Sequence, residues 1–135
     1  MYLIDTMVLS ERSKARANPA VMDWLDGIRF EDAYVSVITI GEIQRGIRKI
    51  ALRERDRAER HLLWLEATLS AYGERVLPVT TDIARGWGSL TYDLRNANAD
   101  LLIAATALEH DLTVVTRNTR HFEPTGAKLL NPYET

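Results

Sequence analysis

Residues 98–118, with the sequence NADLLIAATALEHDLTVVTRN, contain the pattern that decides the fold. Asn98 is a residue type favoured at helix N-caps, and the apolar residues after it predict a helix over residues 99–110. The β-branched run that follows predicts a short buried strand over residues 113–116. A helix that leads directly into such a strand is typical of an α/β protein.

The same alternation extends to both ends of the chain. Short apolar stretches predict four more strands, and apolar residues spaced three or four apart predict four more helices. The strands are expected at residues 1–5, 35–38, 75–79 and 127–130, and the helices at residues 20–28, 39–50, 57–72 and 80–95. Because helices separate the strands, the sequence indicates an open parallel sheet covered by helices on both faces.

Length and composition narrow the class of protein. The 135 residues, 46% of them hydrophobic and 27% charged, predict one globular domain that spans residues 1–135. No apolar run approaches the roughly 20 residues of a membrane span, and the N-terminal MYLIDT lacks a signal-peptide pattern, so we expect a cytoplasmic protein. The absence of cysteine excludes disulfides, thiolate zinc sites and a cysteine nucleophile.

Positive charge is concentrated in one segment of a chain whose net charge is −2. Residues 45–60, RGIRKIALRERDRAER, contain seven basic and three acidic side chains. Two interpretations remain open. The segment is either a solvated helix with internal ion pairs, or a basic rim that lets a polyanion approach an acidic site.

Polar side chains occur where the predicted strands end. Asp5 ends the first strand, Glu42 lies in the first turns of the helix after the second strand, and Asp100 lies in the first turn of the helix over residues 99–110. Thr116 ends the strand over residues 113–116, and Asn118 lies two residues further on. Because ligands of open parallel sheets bind outside the carboxyl ends of the strands, we expect all five to face one edge.

Three carboxylates at one edge have a specific chemical consequence. At about 4 Å from one another they repel by about 4 kcal/mol per pair at an effective dielectric near 20, so they need a cation or must take up a proton. Mg²⁺ prefers oxygen ligands and keeps several of its waters. Such an ion makes a bound water more acidic and neutralises charge on a phosphodiester, which predicts hydrolysis without a protein nucleophile.

Each of these residues also has a simpler structural explanation. Asp5 would cap the next helix, Glu42 would point into solvent, and Asp100 would stabilise a helix N-terminus through the macrodipole. Asn118 would shape a turn. His61, His110 and His121 lack the spacing of a zinc site, and the chain has no GxSxG, GxxxxGK[ST] or GxGxxG motif.

Four blocks in order give the chain a family resemblance. The blocks are LIDT around Asp5, SVITIGEIQRGI around Glu42, the 98–118 segment and the Asn131-Pro132 pair. Together they resemble a PIN-domain protein of the VapC type, a toxin ribonuclease of toxin–antitoxin pairs. The resemblance covers residues 2–133. It implies an α/β fold, a three-layer α/β/α sandwich with a short, mostly parallel central sheet.

The resemblance also implies roles for particular residues. Mg²⁺ or Mn²⁺ would be held by Asp5, Glu42 and Asp100, and Asn118 would complete the catalytic pocket. Thr6 and Thr116 would orient the ligands or a water. The residues expected to contact RNA are Arg45, Arg48, Lys49 and Arg117.

Two positions depart from the family pattern. Met7 replaces the asparagine that usually follows Asp-Thr, and His121 replaces a frequent aspartate. With three carboxylates rather than four or five, we expect one tightly bound metal ion rather than two.

The resemblance further implies protein partners. An antitoxin would dock on the helical region of residues 45–72, where Leu63 and Trp64 widen the apolar stripe, although Trp64 would equally fit a core position. A homodimer and a larger toxin–antitoxin assembly are expected.

The expected function is therefore metal-dependent cleavage of RNA by an activated water. One alternative is a catalytically degenerate PIN-fold module that binds RNA or an antitoxin without cleavage. A receiver-like signalling domain is a remote alternative, because the acidic pair and the lysine that it needs are missing.

Overall fold

The central sheet has five parallel strands in the order β3-β2-β1-β4-β5. The computed structural model describes residues 1–134, so Thr135, the last residue of the expected domain, lies outside the described residues. The strands are β1 (Tyr2–Ile4), β2 (Ala33–Ser36), β3 (Val76–Leu77), β4 (Thr113–Val115) and β5 (Leu129–Leu130). The helices are α1 (Thr6–Ser10), α2 (Pro19–Gly27), α3 (Val37–Ala51), α4 (Arg55–Tyr72), α5 (Thr81–Leu94), α6 (Leu101–His110) and α7 (Thr119–Phe122).

Because successive side chains of a strand point to opposite faces of the sheet, there is one hydrophobic core on each face. Ile4, Val35 and Val115 lie in the core that the helices α1 to α4 cover. Leu3 and Val114 lie in the other core, together with α6 and α7. The three-layer α/β/α sandwich is confirmed. No helix within residues 1–134 is both long and apolar enough to cross a membrane.

The strand order determines where the site lies. β1 occupies the middle of the sheet, and the chain proceeds outward from it first through β2 and β3 and then through β4 and β5. Ligand sites of open α/β sheets lie at such a reversal, beyond the carboxyl ends of the two strands. Receiver domains have the order 2-1-3-4-5, so the receiver-like alternative is excluded.

The prediction of a strand over residues 35–38 is wrong at its C-terminal end. β2 stops at Ser36, whose hydroxyl accepts a hydrogen bond of 3.0 Å from the Ile38 N–H and caps α3. Val37 and Ile38 therefore begin the helix despite their β-branched side chains. The cap outweighs their strand propensity because it satisfies a backbone donor that a helix start leaves unpaired.

Helix α6 begins later than predicted. Its N-cap is Asp100 rather than Asn98, and the Asn98 side chain instead accepts a 3.1 Å hydrogen bond from the Asp100 N–H in the turn before the helix. The short helices α1 and α7 were not predicted, because five and four residues are too few for an apolar period.

Candidate active site

Asp5 lies directly after β1, and both of its carboxylate oxygens are engaged. Oδ1 accepts a hydrogen bond of 2.8 Å from the Thr6 N–H, and Oδ2 accepts one of 2.8 Å from the Thr116 hydroxyl. Asp5 is only 9% exposed. It does cap α1, as the simpler explanation requires, but the contact from Thr116 at the end of β4 fixes its second oxygen at the reversal point of the sheet.

Glu42 reaches the same edge from α3. Its Oε1 accepts a 2.8 Å hydrogen bond from the Thr6 hydroxyl, which also lies 3.3 Å from the Thr39 hydroxyl. Thr6 therefore contacts Asp5 through its backbone and Glu42 through its side chain. Although Glu42 is an exposed residue, its carboxylate is positioned toward the sheet edge rather than free in solvent.

Asp100 completes the group of carboxylates from the start of α6. Its side chain is 38% exposed, and its Oδ2 lies 3.6 Å from Nε2 of His121 in α7. Asp100 is the N-cap residue of α6, although its side chain makes no capping hydrogen bond.

The neighbouring carboxylates affect the ionisation of Asp5 and Glu42. Burial raises the pKa of Asp5, hydrogen bonds from Thr116 and Thr6 oppose the shift, and the charge of Asp100 adds to it, with a smaller lowering effect of His121. Burial likewise raises the pKa of Glu42, against the hydrogen bond from Thr6, and the charges of Asp100 and Asp5 raise it further while Arg45 lowers it. The edge thus concentrates negative charge that a cation would relieve.

The side chains fit a divalent ion in the chemistry of their donor atoms but not in their present spacing. The donors are carboxylate oxygens, which Mg²⁺ and Mn²⁺ prefer. Within residues 1–134, no three His, Cys, Asp or Glu side chains are close enough to hold a metal ion as they stand. Nε2 of His121 is buried and has no hydrogen-bond partner among the same residues, so one nitrogen beside Asp100 is also available.

An open pocket of about 590 Å³ extends from Asp100 along the loop after β4. Asn118 lies in its lining, donates its N–H to the Thr116 hydroxyl over 3.0 Å, and makes no side-chain hydrogen bond with the described residues. Arg117 is exposed in the same lining, with its guanidinium 5.0 Å from the ring centre of Tyr133. The pocket therefore combines one carboxylate, one free amide and positive charge.

Three of the four basic residues predicted to contact RNA lie along α3 beyond Glu42. Arg45, Arg48 and Lys49 occupy this part of the helix, and the charge of Arg45 acts on the Glu42 carboxyl. Lys49 is seven residues from Glu42, which is about 10 Å along a helix axis and nearly the same face. The structure brings Arg45 to the site and places Lys49 about two turns away.

Two residues of the site were not predicted in their structural roles. Thr39 is fully buried and contacts the Thr6 hydroxyl, and its position three residues before Glu42 on one helix face is a signal that could have identified it. His121 departs from the family pattern, but its approach to Asp100 was not predicted. Met7 is 39% exposed, so its side chain does not fill the core.

A second cavity, of about 400 Å³, lies away from the carboxylates, between α2 and α4. Trp64 lines it and also packs partly buried against the core. Leu63, the next residue along α4, is 71% exposed. We call this cavity the α2–α4 groove; its lining also includes Leu25, Ile28, Phe30, Ala67, Ala71 and Tyr72.

Comparison with known proteins covers nearly the entire chain. Residues 2–127 match the family model of the PIN domain. The alignment of the chain with the VapC ribonuclease Y4jK of Sinorhizobium fredii spans 139 positions, with 35% identity and 99% of both chains covered. It resembles the crystal structure of FitAcB from Neisseria gonorrhoeae with a TM-score of 0.86 and 32% identity over 100% of both chains. It also resembles a chain of a toxin–antitoxin complex from Klebsiella pneumoniae, with a TM-score of 0.70 and 26% identity over 100% of both chains.

Proposed function

Because this chain belongs to the PIN-domain family, we propose that it is a metal-dependent endoribonuclease and the toxin of a toxin–antitoxin pair. The VapC ribonuclease of Sinorhizobium fredii and the Klebsiella pneumoniae complex support the activity and the partnership. The observation that carries the proposal is the convergence of Asp5, Glu42 and Asp100 on one sheet edge, where the charge of Asp100 raises the pKa of the other two carboxyls.

Asp5, Glu42 and Asp100 are the proposed ligands of Mg²⁺ or Mn²⁺. Such an ion would lower the pKa of a water that it binds and neutralise charge on a phosphodiester oxygen. Because the carboxylates are not close enough to hold an ion as they stand, Asp5, Glu42 and Asp100 would have to come closer together to bind it. Asp5 is buried and held at both oxygens, whereas Asp100 is partly exposed and Glu42 is exposed and held by one hydrogen bond from Thr6.

The hydroxyls of the site set the direction of the carboxylates. Thr116 and the Thr6 N–H fix Asp5, and the Thr6 hydroxyl orients one oxygen of Glu42. Such contacts beyond the ligands orient metal sites and tune their affinity. Asn118, whose amide is free in the pocket that Asp100 lines, would donate a hydrogen bond to the phosphate or accept one from the attacking water.

RNA would approach along the basic side chains beside the acidic pocket. Arg45, Arg48 and Lys49 extend from the site along α3, and Arg117 borders the pocket next to Asp100. Contacts of this kind neutralise phosphates and bind the backbone without reading its sequence. They would offset the repulsion between the carboxylates and a polyanion.

The α2–α4 groove is the proposed docking site of the antitoxin. It is lined mainly by apolar side chains, and the exposed Leu63 lies on the same helix. An amphipathic segment would bury its apolar side chains there, away from the carboxylates.

For the homodimer we propose the outer faces of α5 and α6, which pack on each other and expose Tyr92 and Leu108. We place the reaction in the cytoplasm, where its RNA substrate is found.

Cleavage of total cellular RNA by the purified, antitoxin-free chain tests the proposal. We expect discrete fragments with 5′-phosphate and 3′-hydroxyl ends in Mg²⁺ or Mn²⁺, and none in EDTA. Protein that is folded and binds RNA but does not cut it in either metal would contradict the proposal and favour the catalytically degenerate module.

A further inference from the structure

His121 has a ring nitrogen that nothing in the described chain satisfies. The residue lies in α7, close after β4, and Nε2 is buried with no hydrogen-bond partner among residues 1–134. A buried polar atom without a partner costs free energy, so native proteins rarely leave one unpaired. Because Nε2 of His121 lies at the edge of a group of carboxylates, we expect its missing partner to be a bound ligand.

The distance from His121 to Asp100 is informative in itself. Nε2 and Oδ2 are 3.6 Å apart, which is too long for a hydrogen bond between them. Two donors that share one metal ion at about 2.1 Å lie roughly 3.0 Å apart in an octahedral shell and roughly 3.4 Å apart in a tetrahedral one. The two atoms are therefore unbonded to each other and only a few tenths of an ångström farther apart than two ligands of one ion.

The surroundings of the ring place it at the site. Its neighbour Phe122 is 2% exposed and packs edge-on to the imidazole, with ring centres 5.4 Å apart. This contact restrains the orientation of the ring. His121 also lies near enough to Asp5 for its charge to act on that carboxyl. The carboxylates of Asp5 and Asp100 are thus both within its influence.

We propose that Nε2 of His121 is a ligand of the divalent ion that Asp100 binds, so that the site offers one nitrogen beside its three carboxylates. This inference rests on the proposed function. Mn²⁺ also prefers oxygen ligands, but as a transition metal it accepts an imidazole nitrogen more readily than Mg²⁺ does. The chain therefore selects Mn²⁺ over Mg²⁺ more strongly than the same site with a carboxylate at position 121.

Pulsed electron paramagnetic resonance of the Mn²⁺-loaded protein tests the proposal directly. In protein labelled with ¹⁵N at histidine, we expect a ¹⁵N coupling to Mn²⁺ that disappears in His121→Asp. The coupling remains in His110→Gln, because His110 lies at the far end of α6. A calorimetric titration then compares affinities, and we expect the ratio of Mn²⁺ to Mg²⁺ affinity to fall by about tenfold in His121→Asp.

The outcomes separate this inference from the function on which it rests. Wild-type protein that binds Mn²⁺ without any ¹⁵N coupling would overturn the ligand role of His121 and leave the carboxylate site intact. Wild-type protein that binds no Mn²⁺ would overturn both. The wild-type spectrum decides the matter by itself, so the conclusion does not depend on the folding of His121→Asp.

Discussion

The Thr116 hydroxyl donates a 2.8 Å hydrogen bond to Oδ2 of Asp5, joining the ends of two neighbouring strands that are 111 residues apart in the sequence. β1 and β4 are adjacent where the strand order reverses, so this contact lies where open α/β sheets place their ligands. Thr116 also accepts a hydrogen bond from the Asn118 N–H. One buried hydroxyl therefore connects a proposed metal ligand to the loop that lines the pocket.

Replacement of Thr116 by valine is expected to weaken metal binding. Thr116→Val keeps the shape of the side chain but removes the hydroxyl, which leaves Asp5 less well oriented and raises its pKa further. We expect a 10- to 100-fold loss of Mn²⁺ affinity, roughly the range for contacts beyond the ligands themselves. Calorimetric titration measures it. Thr116→Ser retains the hydroxyl and should bind nearly normally; equal affinities for Thr116→Val and the wild type would contradict the role of this hydrogen bond.

The positions of the carboxylates could be predicted because they depend on long, regular patterns. The apolar period of α6 and the β-branched run of β4 place Asp100 and Thr116 at the ends of their elements. The rule for parallel sheets then brings both to the edge where Asp5 ends β1. Only the order of the elements matters for this prediction, so an error of two residues at the start of α6 makes little difference.

The details that were missed depend on short elements and side-chain directions. His121 reaches Asp100 only because the four residues of α7 turn the chain back directly after β4. A helix of four residues is too short to show an apolar period in the sequence, and no sequence pattern predicts the rotamers of its side chains. The Ser36 cap was missed for a related reason: a single hydrogen bond there outweighs the strand propensity of Val37 and Ile38.

Removing the charge of Asp5 is expected to abolish cleavage and to stabilise the metal-free protein. Folding raises the pKa of Asp5. At pH values above the usual aspartate range, the ionised carboxylate therefore lowers the free energy of unfolding, and this loss disappears as the pH falls. Asp5→Asn should therefore unfold at a higher temperature than the wild type at pH 7, with the difference shrinking toward pH 3. Thermal unfolding across this range measures it; a variant that is less stable at pH 7 would contradict the electrostatic account.

Glu11 is expected to behave in the opposite way. Although burial alone would raise its pKa, hydrogen bonds from the Asn18 N–H, the Tyr133 hydroxyl and Lys14 outweigh burial and lower it. The ionised form therefore stabilises the fold above the usual glutamate range, and this contribution is lost as pH falls through the lowered value. Glu11→Gln should lose about 1–3 kcal/mol at pH 7 and much less at pH 3.

Urea unfolding at both pH values measures the effect of Glu11→Gln. The control is Glu31→Gln, because Glu31 forms an exposed pair with Arg29 and should contribute little. An equal loss for Glu11→Gln at pH 7 and pH 3 would show that the charge of Glu11 is not what stabilises the fold.

Filling the α2–α4 groove is expected to weaken antitoxin binding without changing RNA cleavage. Ala67 is an exposed residue of α4 that lines the groove, so Ala67→Trp would occupy it with the chain's own side chain. We expect roughly a hundredfold weaker binding of the antitoxin, about 2.8 kcal/mol, with RNA cleavage unchanged. Ser70→Trp, on α4 but outside the groove lining, is the matched control. Full neutralisation of Ala67→Trp would exclude the groove as the docking site.

A Mn²⁺ titration in which metal occupancy and RNA cleavage are followed in the same sample tests the central claim most directly. If Asp5, Glu42 and Asp100 bind the ion that cleaves RNA, occupancy and cleavage rate rise with one midpoint, and both are lost in folded Asp100→Asn. Cleavage that begins without bound metal, or that persists at the wild-type rate in Asp100→Asn, would contradict the claim.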